Sequence, residues 1–171
     1  RYRPRGPPPG RRRDLELARA LLLLGNATEA GELARRAADG FAARGEPAWA
    51  RRCLLVAVLA EPEHDAAGAL LAKAQSAGDR WVAPQAAAVL LSLTPAGDPT
   101  RDSLAEATRT LARSPVVSRR LAGLVALARE SDRQGDLPRA RRQLRSAYST
   151  LLRAQLGTSS LDLRAAVALH G

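Results

Sequence analysis

The chain has 171 residues, enough for one domain with a core or for a few stacked repeats; 46% are apolar but only 3% aromatic, so Ala and Leu carry the burial, which suits close-packed helices and disfavours a sheet. A single cysteine excludes an internal disulfide framework, and no apolar run reaches the roughly 18–20 residues that span a bilayer. The formal charge of +10 comes almost wholly from arginine and is uneven: residues 1–13 hold +6, residues 14–112 hold −3 and residues 113–153 hold +7.

Residues 1–13 read as a basic, Pro- and Gly-rich arm with nothing to pack. Arg11, Arg12 and Arg13 ahead of the Ala20–Leu24 run imitate a signal peptide, but Asp14, Glu16 and Arg19 interrupt the apolar stretch. Leu17, Ala20, Leu21 and Leu24 fall at i, i+3, i+4, i+7 and predict a first helix over 14–24. A second helix over 27–44 carries Ala30, Leu33, Ala34, Ala37 and Phe41 on one face. The third starts at Pro47, a good first-turn residue, and runs to Ala60; the fourth covers 63–77 and stops at Gly78-Asp79. Asp79 can cap a fifth helix, but Pro84 in its interior would cost about 3 kcal/mol. A start near Ala83, or a bend there, with an end near Leu93, resolves the conflict. Asp98-Pro99 opens a sixth helix that ends near Arg113, and Ser114-Pro115 opens a seventh that reaches Gln134. The eighth covers 137–156, Gly157 closes it, and Thr158 or Ser159 begins a ninth that is cut short.

One short signature occurs twice. Gly25-Asn26 followed by Ala30, and Gly135-Asp136 followed by Ala140, each supply a Gly that ends a helix, an Asn or Asp that caps the next, and a small residue where two helices touch. Ala66 follows Ala30 by 36 residues and Ala140 follows it by 110, near multiples of a period of about 37. Short connections make successive helices antiparallel neighbours, so four hairpins tile the chain, over about 14–45, 46–78, 79–113 and 114–156.

That period and those markers resemble the tetratricopeptide repeat (TPR), in which a Gly ends helix A, an Ala sits five residues later in helix B, and a second Ala follows seven after that. Gly25, Ala30 and Ala37 match, as do Gly135, Ala140 and Ala147; Leu17-Ala18 and Leu127-Ala128 fill the Leu-Gly positions of helix A. The middle two repeats are degenerate, with Ala50, Cys53 and Leu54 fitting loosely and the Trp, Tyr and Pro positions mostly missing. At the end, Leu156 to Ala165 followed by His170-Gly171 resembles the segment after the repeats in actinobacterial CHAT-domain proteins, which join such repeats to a caspase-like cysteine protease domain. The protease domain, with its His and Cys, lies outside this chain, and nothing catalytic carries over.

The resemblance implies an all-α solenoid whose concave face is lined by helix A of each pair. Its groove positions fall on Arg12, Leu15, Arg19, Arg51, Arg52, Leu55, Val125, Arg129 and Arg133. Such an arginine-studded face suits an acidic peptide or a C-terminal carboxylate, although the Lys and Asn pattern of the two-carboxylate clamp is missing. Arg139, Arg141, Arg142, Arg145 and Arg153 with Arg113, Arg119 and Arg120 make a candidate phosphate-binding patch; without interleaved aromatics, a solvated helix face or a subunit contact is favoured. Cys53 reads as a buried thiol beside Trp49, Val56 and Ala57, and Trp49 and Trp81 read as packing residues. Cys53 with His64 and His170 makes neither a zinc set nor a nucleophile–base pair.

The expectation is therefore a non-catalytic, cytoplasmic binding module without cofactor or metal. It would take a protein or acidic peptide on its concave face and regulate a neighbouring CHAT domain. A helical sensor arm of a signalling ATPase or transcriptional regulator, and a nucleic-acid binder using the 113–153 region, are the alternatives.

Overall fold

The computed structural model describes the backbone of residues 9–170 and the side chains of residues 12–156; residues 1–8 of the arm expected over 1–13, and the side chains of the last segment, lie outside the described residues. Eight helices and no strand occur among the described residues: α1 Pro9–Leu23, α2 Ala27–Ala42, α3 Pro47–Ala60, α4 His64–Ser76, α5 Ala83–Leu93, α6 Arg101–Ala112, α7 Val117–Arg133 and α8 Leu137–His170. The all-α expectation holds.

Two expected boundaries are corrected. Pro9 opens α1, so Arg11 to Arg13 belong to a helix rather than to the arm; proline suits a first turn because its missing N–H has no intrahelical partner there. At the other end the backbone stays helical through Gly157 to His170, so the eighth and the expected ninth helix are one. A glycine inside a helix costs only about 1 kcal/mol relative to alanine, and a long helix absorbs that.

The repeated signature has a shared geometry. Gly25 and Gly135 take φ of 86° and 75°, a region that a side chain disfavours. At each, the next residue's N–H reaches back to the carbonyl five residues earlier, Asn26 to Leu21 and Asp136 to Ser131, both at 2.9 Å. The same closure recurs as Glu46 to Phe41 and Asp79 to Ala74. The two signatures differ in capping: Asp136 Oδ1 accepts from the Arg139 N–H at 3.0 Å, whereas the Asn26 side chain makes no cap bond.

The chain divides into two compact units, one ending at Thr94 and the other starting at Pro95. The expected 79–113 hairpin falls across this division, so α5 belongs to the first unit and α6 to the second. Thr94 to Thr100, with Pro95, Gly97 and Pro99, cannot continue a helix. In the first unit α3 touches α1, α2, α4 and α5. Its residues after Arg52 are apolar on every side, as befits a helix with neighbours all round. Leu15, Ala18, Ala34, Ala37, Phe41, Cys53, Val56 and Ala57 form its core. The small residue buried on α4 is Ala67, with Ala74 one seam step on, rather than the expected marker Ala66. In the second unit α7 packs against α6 and α8, and the seams bury Leu104, Ala105, Leu111, Leu127, Ala140 and Ala147.

Candidate functional site

Arginines and tryptophans meet on one face of the first unit. Arg12 and Arg19 stand two turns apart on α1, and their seven-residue spacing keeps them on one side. Pro47 sets the start of α3, which places Trp49 and Arg52 one turn apart. Trp81 lies in the turn that leads into α5. The Arg52 guanidinium carbon is 4.6 Å from the Trp49 ring centroid and 5.4 Å from that of Trp81. Arg12 lies 5.9 Å from Trp49, and Arg19 lies 5.9 Å from Trp81. The contacts therefore alternate in the order Arg12, Trp49, Arg52, Trp81, Arg19. Phe41 backs Trp49 from the core, with centroids 5.9 Å apart and planes at 23°.

Asp79 holds the turn that carries Trp81. Its Oδ1 accepts from the backbone N–H groups of Trp81 and Val82, both at 3.1 Å, and its Oδ2 accepts from Arg51 Nε at 3.0 Å. Burial opposes ionisation of this carboxyl, but the Val82 N–H, the Arg51 guanidinium and the Trp81 N–H together outweigh it and hold the pKa below the ordinary carboxylate value. This arrangement settles the conflict at Pro84. Asp79 caps a turn, the helix proper begins at Ala83, and Pro84 sits in its first turn where no N–H is needed.

The expected groove residues of the first unit separate into three groups. Arg12, Arg19 and Arg52 line the Trp face; Arg19 also pairs with Glu16 at 3.1 Å, while among the described residues no carboxylate pairs with Arg12 or Arg52. Arg51 is a structural residue, since its side chain is 15% exposed and bound to Asp79. Leu55 and Leu15, expected on the open face, are buried at 2% and 0% exposure, because the helices around α3 and α1 cover them. Leu55 is thereby removed from any accessible surface.

In the second unit Arg129 and Arg133 are exposed on α7, and Val125 is half-buried. Arg133 lines a cavity of about 460 Å³ with Asp98, Asp102 and the buried Arg101–Glu130 ion pair. Of the expected basic patch, Arg139, Arg142 and Arg145 are exposed on α8. Arg119 and Arg120 are half-buried, and Arg120 Nε donates to the Ser114 carbonyl at 2.9 Å, closing the turn before α7.

Two features escaped the sequence. One is the role of Trp49 and Trp81 as platforms for arginine: Arg12 is far from Trp49 in the chain, as are Arg19 and Arg52 from Trp81, and only the Trp49–Arg52 pair stands at a local i, i+3 spacing. The other is a groove of about 470 Å³ between α3 and α4, floored by Leu54, Ala57, Val58 and Leu70, with an Arg35–Glu61 ion pair of 2.8 Å at its rim. Nothing local signals a gap between two helices.

A guanidinium stacked by its face on an indole keeps its in-plane N–H donors available at the edge, and those donors match a carboxylate two at a time. The face thus gathers the guanidinium groups of Arg12, Arg19 and Arg52 around two indoles. Cys53, on α3, is fully buried and its thiol is pushed up to about 11 by burial, Arg19 opposing the effect and Asp14 adding to it. Among the described residues no three His, Cys, Asp or Glu side chains gather as a metal set would, and no helix is long and apolar enough to cross a membrane. Comparison with protein-family models, curated proteins and solved structures finds no match to this chain.

Proposed function

We propose that the chain is a non-catalytic protein-interaction module whose first unit holds an acidic segment of a partner protein on the Arg12–Trp49–Arg52–Trp81–Arg19 face. The observation that supports this most is the alternation of three guanidinium groups with two indoles on neighbouring helices. Stacking orders the arginines before any ligand arrives, so less side-chain entropy is lost on binding. Each acidic residue of the ligand meets a guanidinium edge.

The neighbour pattern within the first unit, α1 beside α3 and α3 beside α5, is what stacked TPR-like hairpins would give. In this reading the chain is the TPR-like α-solenoid region of a larger protein, and occupancy of the arginine face regulates a neighbouring CHAT-type protease domain. Isothermal titration with a Glu- and Asp-rich peptide and with its Lys-substituted counterpart tests the binding claim. The acidic peptide binds, the basic one does not, and Arg12→Ala with Arg52→Ala weakens the acidic peptide at least about tenfold, as loss of bidentate contacts requires. Equal affinity for the two peptides, or no effect of the double substitution, contradicts the proposal.

A further inference from the structure

The surface of α8 carries a second feature, independent of the arginine face. Between Leu137 and Leu156 this helix has two apolar stripes. One, made of Ala140, Ala147 and the Thr150 position, is buried against α7. The other is exposed: Leu137 at 50%, Leu144 at 50%, Tyr148 at 63% and Leu151 at 41%. The steps between these four are seven, four and three residues, the spacing by which one helix seats a second along a heptad seam. At about 100° per residue the exposed stripe lies roughly a quarter turn from the α7 seam. On its far side stand Arg141 and Arg145, exposed like Arg139, Arg142 and Arg153. From Leu137 to Leu156 there are five arginines and no acid.

We infer that this stripe is a docking seam for an amphipathic helix of a partner protein, with leucine-type residues on its apolar face and glutamates or aspartates along its flanks. Heptad spacing selects a helix, because an extended segment would meet the stripe out of register. The acid-free arginine flank selects an acidic partner and acts against a second copy of this chain, since two such helices side by side would set like charges against each other. It also acts against a bilayer: an interfacial helix carries basic residues on both sides of its apolar face, and here one side is occupied by α7.

The test uses the whole chain and a fluorescently labelled three-heptad peptide with Leu along one face and Glu on both flanks, beside the same peptide with Lys flanks. Anisotropy shows saturable binding of the Glu peptide, at least about tenfold weaker binding of the Lys peptide, and a similar loss on Leu144→Ser with Tyr148→Ser or on Arg141→Glu with Arg145→Glu. These side chains are exposed, and unchanged circular dichroism of the variants confirms that the helices persist. Arg12→Ala with Arg52→Ala leaves this affinity unchanged, which separates the seam from the arginine face. Equal binding of the two peptides overturns the inference. So does a concentration-dependent dimer that Leu144→Ser with Tyr148→Ser abolishes. Binding to phosphatidylserine-containing vesicles through the same residues, with no binding of the Glu peptide, overturns it as well.

Discussion

Substituting Gly123 by alanine tests how closely α6 and α7 approach. A Cβ at Gly123 would stand 2.8 Å from both the Leu111 carbonyl carbon and the Ala112 Cα, and closer still to the Ala112 nitrogen. Carbon atoms rest at about 3.5–4.0 Å, so the two helices must part by about 1 Å along a seam that buries Leu104, Leu111 and Leu127. The atoms in the way are backbone and cannot rotate aside. Overpacking of this kind costs about 1–3 kcal/mol, whereas exchanging glycine for alanine inside a helix returns about 1 kcal/mol. Gly68 on α4 is the control, because a Cβ there meets nothing within 4 Å. Gly68→Ala is expected to stabilise by up to about 1 kcal/mol, and Gly123→Ala to destabilise by up to about 2 kcal/mol. Urea unfolding followed by far-ultraviolet circular dichroism reads the difference as a midpoint moving in opposite directions. A Gly123→Ala midpoint at or above that of Gly68→Ala would refute the close approach.

Three further outcomes follow from the buried polar groups. Asp79 has a depressed pKa, so its contribution to stability is full above its unfolded value near ~4 and is lost as pH falls through the lower folded value. Asp79→Asn therefore lowers stability at neutral pH and flattens the acid limb of the thermal-midpoint profile; an unchanged acid limb tells against this role. Glu130→Ala leaves Arg101 with its buried ion-pair partner removed and costs about 3 kcal/mol or more, while Arg101→Met with Glu130→Leu costs much less; equal costs for the two variants contradict a buried charge penalty. Cys53, buried and with its thiol near 11, reacts with a soluble disulfide reagent at pH 8 only at the rate of unfolding, and rapid native-state labelling would contradict its placement.

Helix positions were legible in the sequence because their signals are local. Pro47 and Ala60 bound α3 as expected, and Ala83 and Leu93 bound α5. The starts of α6 and α7 move by two or three residues, because a side chain first closes a turn there. Asp98 accepts from the Thr100 N–H at 2.8 Å before α6, and Ser114 Oγ accepts from the Val116 N–H at 3.2 Å before α7. Gly157 misled because a single residue cannot show whether a helix on either side will carry it. The candidate site was half legible. Arg12, Arg19 and Arg52 were picked out by family position, but the indoles that Arg12 and Arg19 meet, Trp49 and Trp81, lie on other elements, and only Arg52 has an indole on its own helix. Leu55 failed for a related reason, since burial depends on how many helices surround α3, and only packing reveals that.

The arginine face of the first unit is proposed to receive carboxylates. The chain has two tryptophans, both on that face, so their emission reports on it alone. Titration with a Glu- and Asp-rich peptide should change tryptophan emission saturably, and Arg52→Ala, which touches both indoles, should abolish the change while leaving the helical signal intact. Emission that stays constant while the peptide binds elsewhere, or a response that persists in Arg52→Ala, would contradict it.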